Sequence, residues 1–165
     1  MNSKNYTFDF IIPQGPTGPT GPTSKNIPGL SSYGGKYNYS VSTINLSSGC
    51  QEQVLLNDSL FSKNVDYKEL NSIIIEQDGI YEITYNLNLS VPSKTILTAA
   101  VRENGNDIIS TVSTKILEAG ISSVFCMNTI YMFQKGSVVD LALATDTDVE
   151  VSVANNASLL IKQLD

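Results

Sequence analysis

Asp146, Asp148 and Glu150 alternate along a short stretch late in the chain, where carboxylates at every second position could offer oxygen ligands to a hard cation such as calcium. The stretch lacks the glycine and the bidentate carboxylate of an EF-hand loop, so a solvated acidic turn is the favoured reading and no metal ligand is assigned. Cys50 and Cys126 lie far apart and form no metal-type cluster. Two unpaired, mostly buried thiols are expected ahead of the alternative, a Cys50–Cys126 disulfide. The 165 residues include no histidine, which removes the commonest general base, proton shuttle and metal ligand together. Serine and threonine are plentiful, but a hydroxyl without a base beside it is no nucleophile. No glycine-rich phosphate loop of either standard spacing occurs. The expectation is a protein that is not an enzyme, with no catalytic residues and no cofactors.

The composition points to what such a chain builds instead. Hydrophobic residues make up 41% and charged residues 16%, leaving a polar fraction rich in Ser, Thr and Asn, which suits strands better than helices. The net charge of −6, with no basic run, argues against nucleic acid and anionic membranes as partners. No run approaches the ~20 apolar residues of a membrane helix. Asp9 interrupts the short apolar stretch near the start and no small-residue cleavage site follows, so this stretch is a poor secretory signal.

The chain divides into four regions by texture. Residues 1–14 form an apolar connector in which Tyr6, Phe8, Phe10 and Ile12 alternate with Thr7, Asp9 and Ile11. Residues 15–23 read Gly15-Pro16-Thr17, Gly18-Pro19-Thr20, Gly21-Pro22-Thr23, the period of a collagen-like triple helix, because only glycine fits at the axis of three wound polyproline-type chains. Nine residues at ~3.1 Å each span only ~28 Å, too short to hold three chains together unaided. Residues 24–32 are a Pro/Gly/Ser-rich linker, and residues 33–165 read as continuous β structure.

The longest strand pattern runs from Gly79 to Val91, with Tyr81, Ile83, Tyr85, Leu87, Leu89 and Val91 on one face and Glu82, Thr84, Asn86, Asn88 and Ser90 on the other. Leu97, Ala99 and Val101 alternate up to Asn104-Gly105, a strong hairpin dipeptide. Val124–Phe133 is apolar on both faces, as expected of a central strand or a subunit interface. Val139, Leu141 and Leu143 follow the Lys135-Gly136 turn, Val149, Val151 and Val153 alternate next, and Ala157–Leu164 closes the chain. Eight to ten strands in one domain predict an all-β jelly-roll sandwich.

Asp78-Gly79-Ile80-Tyr81-Glu82-Ile83-Thr84-Tyr85 is similar to the Gly-x-Tyr-x-Phe-x-Tyr signature of heads related to complement component one-q and tumour necrosis factor (TNF), with Ile83 in place of the aromatic. Val101-Arg102-Glu103-Asn104-Gly105 and Gln134-Lys135-Gly136-Ser137-Val138-Val139 resemble two further turns of those heads, the second with Ser137 where Asp is usual. The order of Gly-Pro-Thr triplets before such a head resembles the bacterial collagen-like glycoproteins of the spore surface and exosporium. This resemblance implies a compact homotrimer on the spore or another extracellular surface, reached without a normal secretion signal. It implies sugars on Thr17, Thr20 and Thr23, and a trimer interface drawn from Tyr81, Tyr85, Phe125, Met127, Tyr131 and Phe133. The competing reading of those six is the core of a single subunit.

One rotation axis would serve both a three-stranded stalk and a trimeric head. The connector residues Tyr6, Phe8, Phe10 and Ile12 each gain on the order of 1.5–3 kcal/mol on burial, so a docking role is expected. Insertion into the next trimer by strand addition would give a head-to-tail filament. The expected function is a structural subunit of a spore-surface fibre or appendage whose partners are its own copies, with spore coat or exosporium proteins as further candidates. The alternatives are a trimeric adhesin, an exosporium-anchored binding module and, more weakly, a phage tail-fibre tip.

Overall fold

The computed structural model describes residues 30–165. The connector residues Tyr6, Phe8, Phe10 and Ile12 and the triplets over residues 15–23 lie outside the described residues. No helix among the described residues is long and apolar enough to cross a membrane.

The period-two runs become strands because each sets β-branched, aliphatic and aromatic side chains on one side and short polar ones on the other. In chain order the strands are β1 (Tyr33–Asn38), β2 (Ser42–Leu46), β3 (Gln51–Gln53), β4 (Asp58–Ser59), β5 (Val65–Asp66), β6 (Ile73–Ile75), β7 (Gly79–Ser90), β8 (Thr95–Glu103), β9 (Asn106–Asp107), β10 (Ser113–Leu117), β11 (Ser123–Phe133), β12 (Val138–Thr145), β13 (Val149–Val153) and β14 (Ala157–Gln163). One short 3-10 turn spans Ile109–Thr111. Among the described residues fourteen strands exceed the eight to ten expected, because β3, β4, β5, β6 and β9 are touches of only two or three residues on the sheets. Asn104 and Gly105 turn the β8–β9 hairpin with φ of 50° and 80°, the left-handed pair that a type I′ turn requires.

The strands build two antiparallel sheets, and the fold is an all-β sandwich. In the first, β7 pairs with β11 along its whole length on one side; its other side is shared by β14 and β13, and β1 and β4 continue outward from β14. In the second, β12 lies between β8 and the short strands β6 and β3, and β10 extends the sheet beyond β8. Tyr81, Ile83, Tyr85, Leu87 and Leu89 of β7 meet Leu97, Ala99 and Val101 of β8 and Val139, Leu141 and Leu143 of β12 in one buried cluster. Tyr81 and Phe133 pack edge to face at 5.7 Å, and Tyr131 and Phe133 at 5.0 Å. The Tyr85 hydroxyl donates to the Thr111 carbonyl at 2.9 Å, and burial pushes its pKa up to about 12.

Ser31 and Ser32, the end of the expected linker, are already tied to the head. Ser32 is buried and donates to Gln163 Oε1 at 2.6 Å, while Ser31 donates to the Asp165 carbonyl at 3.1 Å. The chain therefore enters the head at the end where it finishes, beside the start of β7.

Candidate self-association face

A strand that is apolar on both faces must be central to its sheet or covered from outside. Among the described residues β11 pairs with β7 alone, so it is an edge strand. Its inward side chains, Phe125 and Phe133, are fully buried. Its outward ones include Val124, Ile130 and Met132, the last two 61% and 69% exposed. Ile80, the register partner of Met132 on β7, is exposed beside them.

This apolar flank is bounded by a polar strip running down β7. Glu82 forms an ion pair with Lys162 and accepts from Asn128 Nδ2 at 2.8 Å; the same amide reaches Thr84 Oγ1 at 3.2 Å. Hydrogen bonds from Lys162 and then Asn128 hold the Glu82 carboxyl below its ordinary pKa. Asn88 continues the strip, and its Oδ1 is the one buried side-chain oxygen or nitrogen among the described residues without a hydrogen-bond partner.

Beyond the strip, the β14–β1–β4 side is apolar again. Leu160 leans across Gly35, and a Cβ there would lie 2.4 Å from Leu160 Cδ2. Gly34 is as close to the segment that follows β4, since its added Cβ would lie 2.5 Å from Val65 Cγ2 and 2.6 Å from the Tyr67 hydroxyl. The glycine pair thereby lets the segment after β4 approach β1 closely, with Leu60 Cδ1 3.0 Å from a Cβ built at Gly35, and the next residue, Phe61, is exposed. One sheet face thus presents two unlike apolar flanks about a polar strip.

Of the six interface candidates, Tyr81, Tyr85, Phe125 and Phe133 are fully buried within the single chain, while Met127 and Tyr131 are partly buried against the same core. Their outward neighbours Ile80, Val124, Ile130 and Met132 are exposed instead, as are Leu60 and Phe61. The double-sided texture of Val124–Phe133 carried the sign of the first group. The Gly34-Gly35 pair is the local mark of the second.

The thiols are free, but both are exposed, which corrects the expected burial. Cys50 follows the turn at Gly49, and Cys126 takes the outward parity of β11. The acidic stretch is a tied turn: Asp146 Oδ1 accepts from Thr95 Oγ1 and the Ile96 amide, both at 3.1 Å, and Asp148 Oδ1 accepts from the Ser48 amide at 2.7 Å. Near the foot of β11 lies a cleft of about 350 Å3 lined by Glu103, Asn104, Tyr131, Met132, Gln134 and Ser137. Its carboxylate accepts from Tyr131 at 3.0 Å and Ser137 at 2.5 Å, and the bond to Glu103 raises the Tyr131 pKa.

No family model and no curated protein matches the chain. Solved structures do. Murine APRIL superposes with a TM-score of 0.57 at 8% identity, covering 81% of this chain and 98% of that one. The globular domain of zebrafish complement 1qA gives 0.57 at 11% identity with the same coverage. Eiger TNF from S. frugiperda gives 0.53 at 6% identity, covering 81% of this chain and 92% of that one. At such identities the likeness is one of fold, and the sandwich is the jelly roll of TNF-like and complement 1q-like heads.

Proposed function

We propose that the head closes into a homotrimer and that the chain is a non-enzymatic structural subunit of a bacterial spore-surface fibre or appendage. The observation that carries this reading is the pair of unlike apolar flanks on one sheet face, with an edge strand that is apolar outside. Two different patches on one subunit favour a heterologous contact, and a heterologous contact that closes makes a ring. A ring of three also suits Gly-Pro-Thr triplets, which need three chains side by side.

Tyr6, Phe8, Phe10 and Ile12 supply the second contact, by docking into the next trimer and extending a filament along the axis. Exosporium or coat proteins are the partners at the base of such a fibre, as the resemblance to collagen-like spore glycoproteins implies.

Sedimentation equilibrium of residues 31–165 tests the first step, with a mass of three chains expected. Negative-stain images of the full-length chain test the second. Filaments are expected, and they should give way to separate trimers when residues 1–14 are deleted. A single-chain mass would overturn the trimer, and filaments that survive the deletion would overturn the head-to-tail link.

A further inference from the structure

We propose that Phe61 is the knob by which each head grips its neighbour, its phenyl ring packing on Ile130 and Met132 of a second copy of this chain. The inference rests on the trimer reading above and assigns the contact that closes the ring.

Phe61 is 95% exposed, more than any other large hydrophobic residue described. A single exposed apolar side chain is ordinary on a protein surface. This one sits on a braced loop. The Leu60 amide donates to the Gly35 carbonyl at 2.9 Å, and three residues on, Lys63 and Tyr33 exchange backbone hydrogen bonds at 2.9 and 3.0 Å. The Tyr67 hydroxyl accepts from the Gly35 amide at 2.8 Å and donates to the Leu60 carbonyl at 3.3 Å, while the Lys36 ammonium stands 5.8 Å from its ring centre. An aromatic held in place loses little freedom when it docks, which is what makes such residues anchors of interfaces.

The sheet register selects the receiving surface. Lys63 bridges Tyr33, which is in register with Lys162, then Glu82, then Ile130. Knob and receptor thus occupy nearly one level at opposite edges of the same sheet. Copies in a cyclic ring are related by rotation without translation along the axis, so a knob meets a site near its own level when that axis runs along the strands. Within one chain the two cannot touch: four strand spacings from β4 to β11 amount to ~19 Å. A cleft of about 350 Å3 adjoins Met132, and its Glu103 carboxylate is opposite in sign to Lys63, two residues after Phe61 in the chain.

The test uses the full-length chain with Cys50→Ser and Cys126→Ser as background. Phe61→Cys and Ile130→Cys are added together, and the thiols are oxidised in air with copper phenanthroline. The separation forbids an intrachain disulfide, which needs Cα atoms within about 7 Å. Covalent three-chain species on a non-reducing gel are the expected result, with none from either single cysteine. Chains that run singly, while the unmodified protein scatters light as three chains or more, would overturn the knob and spare the trimer. An unmodified protein that scatters as one chain would overturn the trimer itself. Phe61→Ser should raise the concentration at which trimers dissociate at least tenfold with the denaturation midpoint of the dilute head unchanged, and an unaltered dissociation also counts against the knob.

Discussion

Met132 and Phe133 are consecutive on β11 and face opposite ways: the thioether is 69% exposed while the phenyl ring is fully buried against Tyr81 and Tyr131. Two neighbours of similar apolarity therefore differ in setting, one packed in the core and one open to solvent. Phe133→Ala should cost about 3–5 kcal/mol of head stability through lost burial and the cavity left behind. Met132→Ser should leave the denaturation midpoint of the dissociated head within experimental error and weaken association instead. Urea titration and sedimentation on the two variants separate these outcomes, and a midpoint loss for Met132→Ser like that of Phe133→Ala would contradict the division.

Glu82 gives the face an acid-sensitive component. Its folded pKa is depressed below the ordinary 4.5 by Lys162 and Asn128. A depressed carboxylate contributes stability that is fully present above its unfolded pKa and is lost as pH falls through the folded one. Stability of the wild-type head should therefore decline below about pH 4.5 partly through this group. Glu82→Gln should have a shallower acid limb in urea midpoints taken from pH 3 to 7, and identical limbs would refute the assignment.

The close approach at Gly34 predicts a packing defect from a single methyl group. Gly34→Ala places a carbon against Val65 Cγ2 and the Tyr67 hydroxyl, both set by the loop that carries Phe61. A loss of about 1–3 kcal/mol is expected from such overpacking. Fluorescence of the tyrosines during denaturation reads it, and wild-type stability would show that the loop yields freely.

The two thiols should report assembly. Both are exposed in the single chain, but Cys126 lies on the β11 flank of the proposed association face and Cys50 lies at a turn away from that flank. In assembled protein, Ellman's reagent should titrate Cys50 rapidly and Cys126 slowly. Ile130→Asp, which puts a charge on the flank, should release single chains in which both react at once. Equal rates in the wild type would place Cys126 outside the contact.

Much of the architecture was legible from local pattern. Tyr81 through Leu89 kept their parity, Asn104-Gly105 turned the hairpin, and β8, β12 and β13 appeared where apolar residues alternate, because side-chain direction in a strand has a fixed period of two. The short touches β4, β5 and β9 were invisible, since two residues carry no period. The candidate site was half legible. The apolar excess on Val124–Phe133 was plain, but Tyr81, Tyr85, Phe125 and Phe133 could be divided from Ile80, Ile130 and Met132 only once β11 was known to have one neighbour among the described residues.

The sequence by itself determined the strand parity, the turns, the absence of histidine chemistry and the threefold period of the Gly-Pro-Thr segment. These follow from local backbone geometry and residue type. Only the tertiary structure decided which side of each sheet met the other sheet, which strand was left at the edge, and that the loop after β4 lies on the Gly34-Gly35 pair and lifts Phe61 into solvent. Those outcomes depend on pairings between residues far apart in the chain, and no local period encodes which strand will lack a second neighbour.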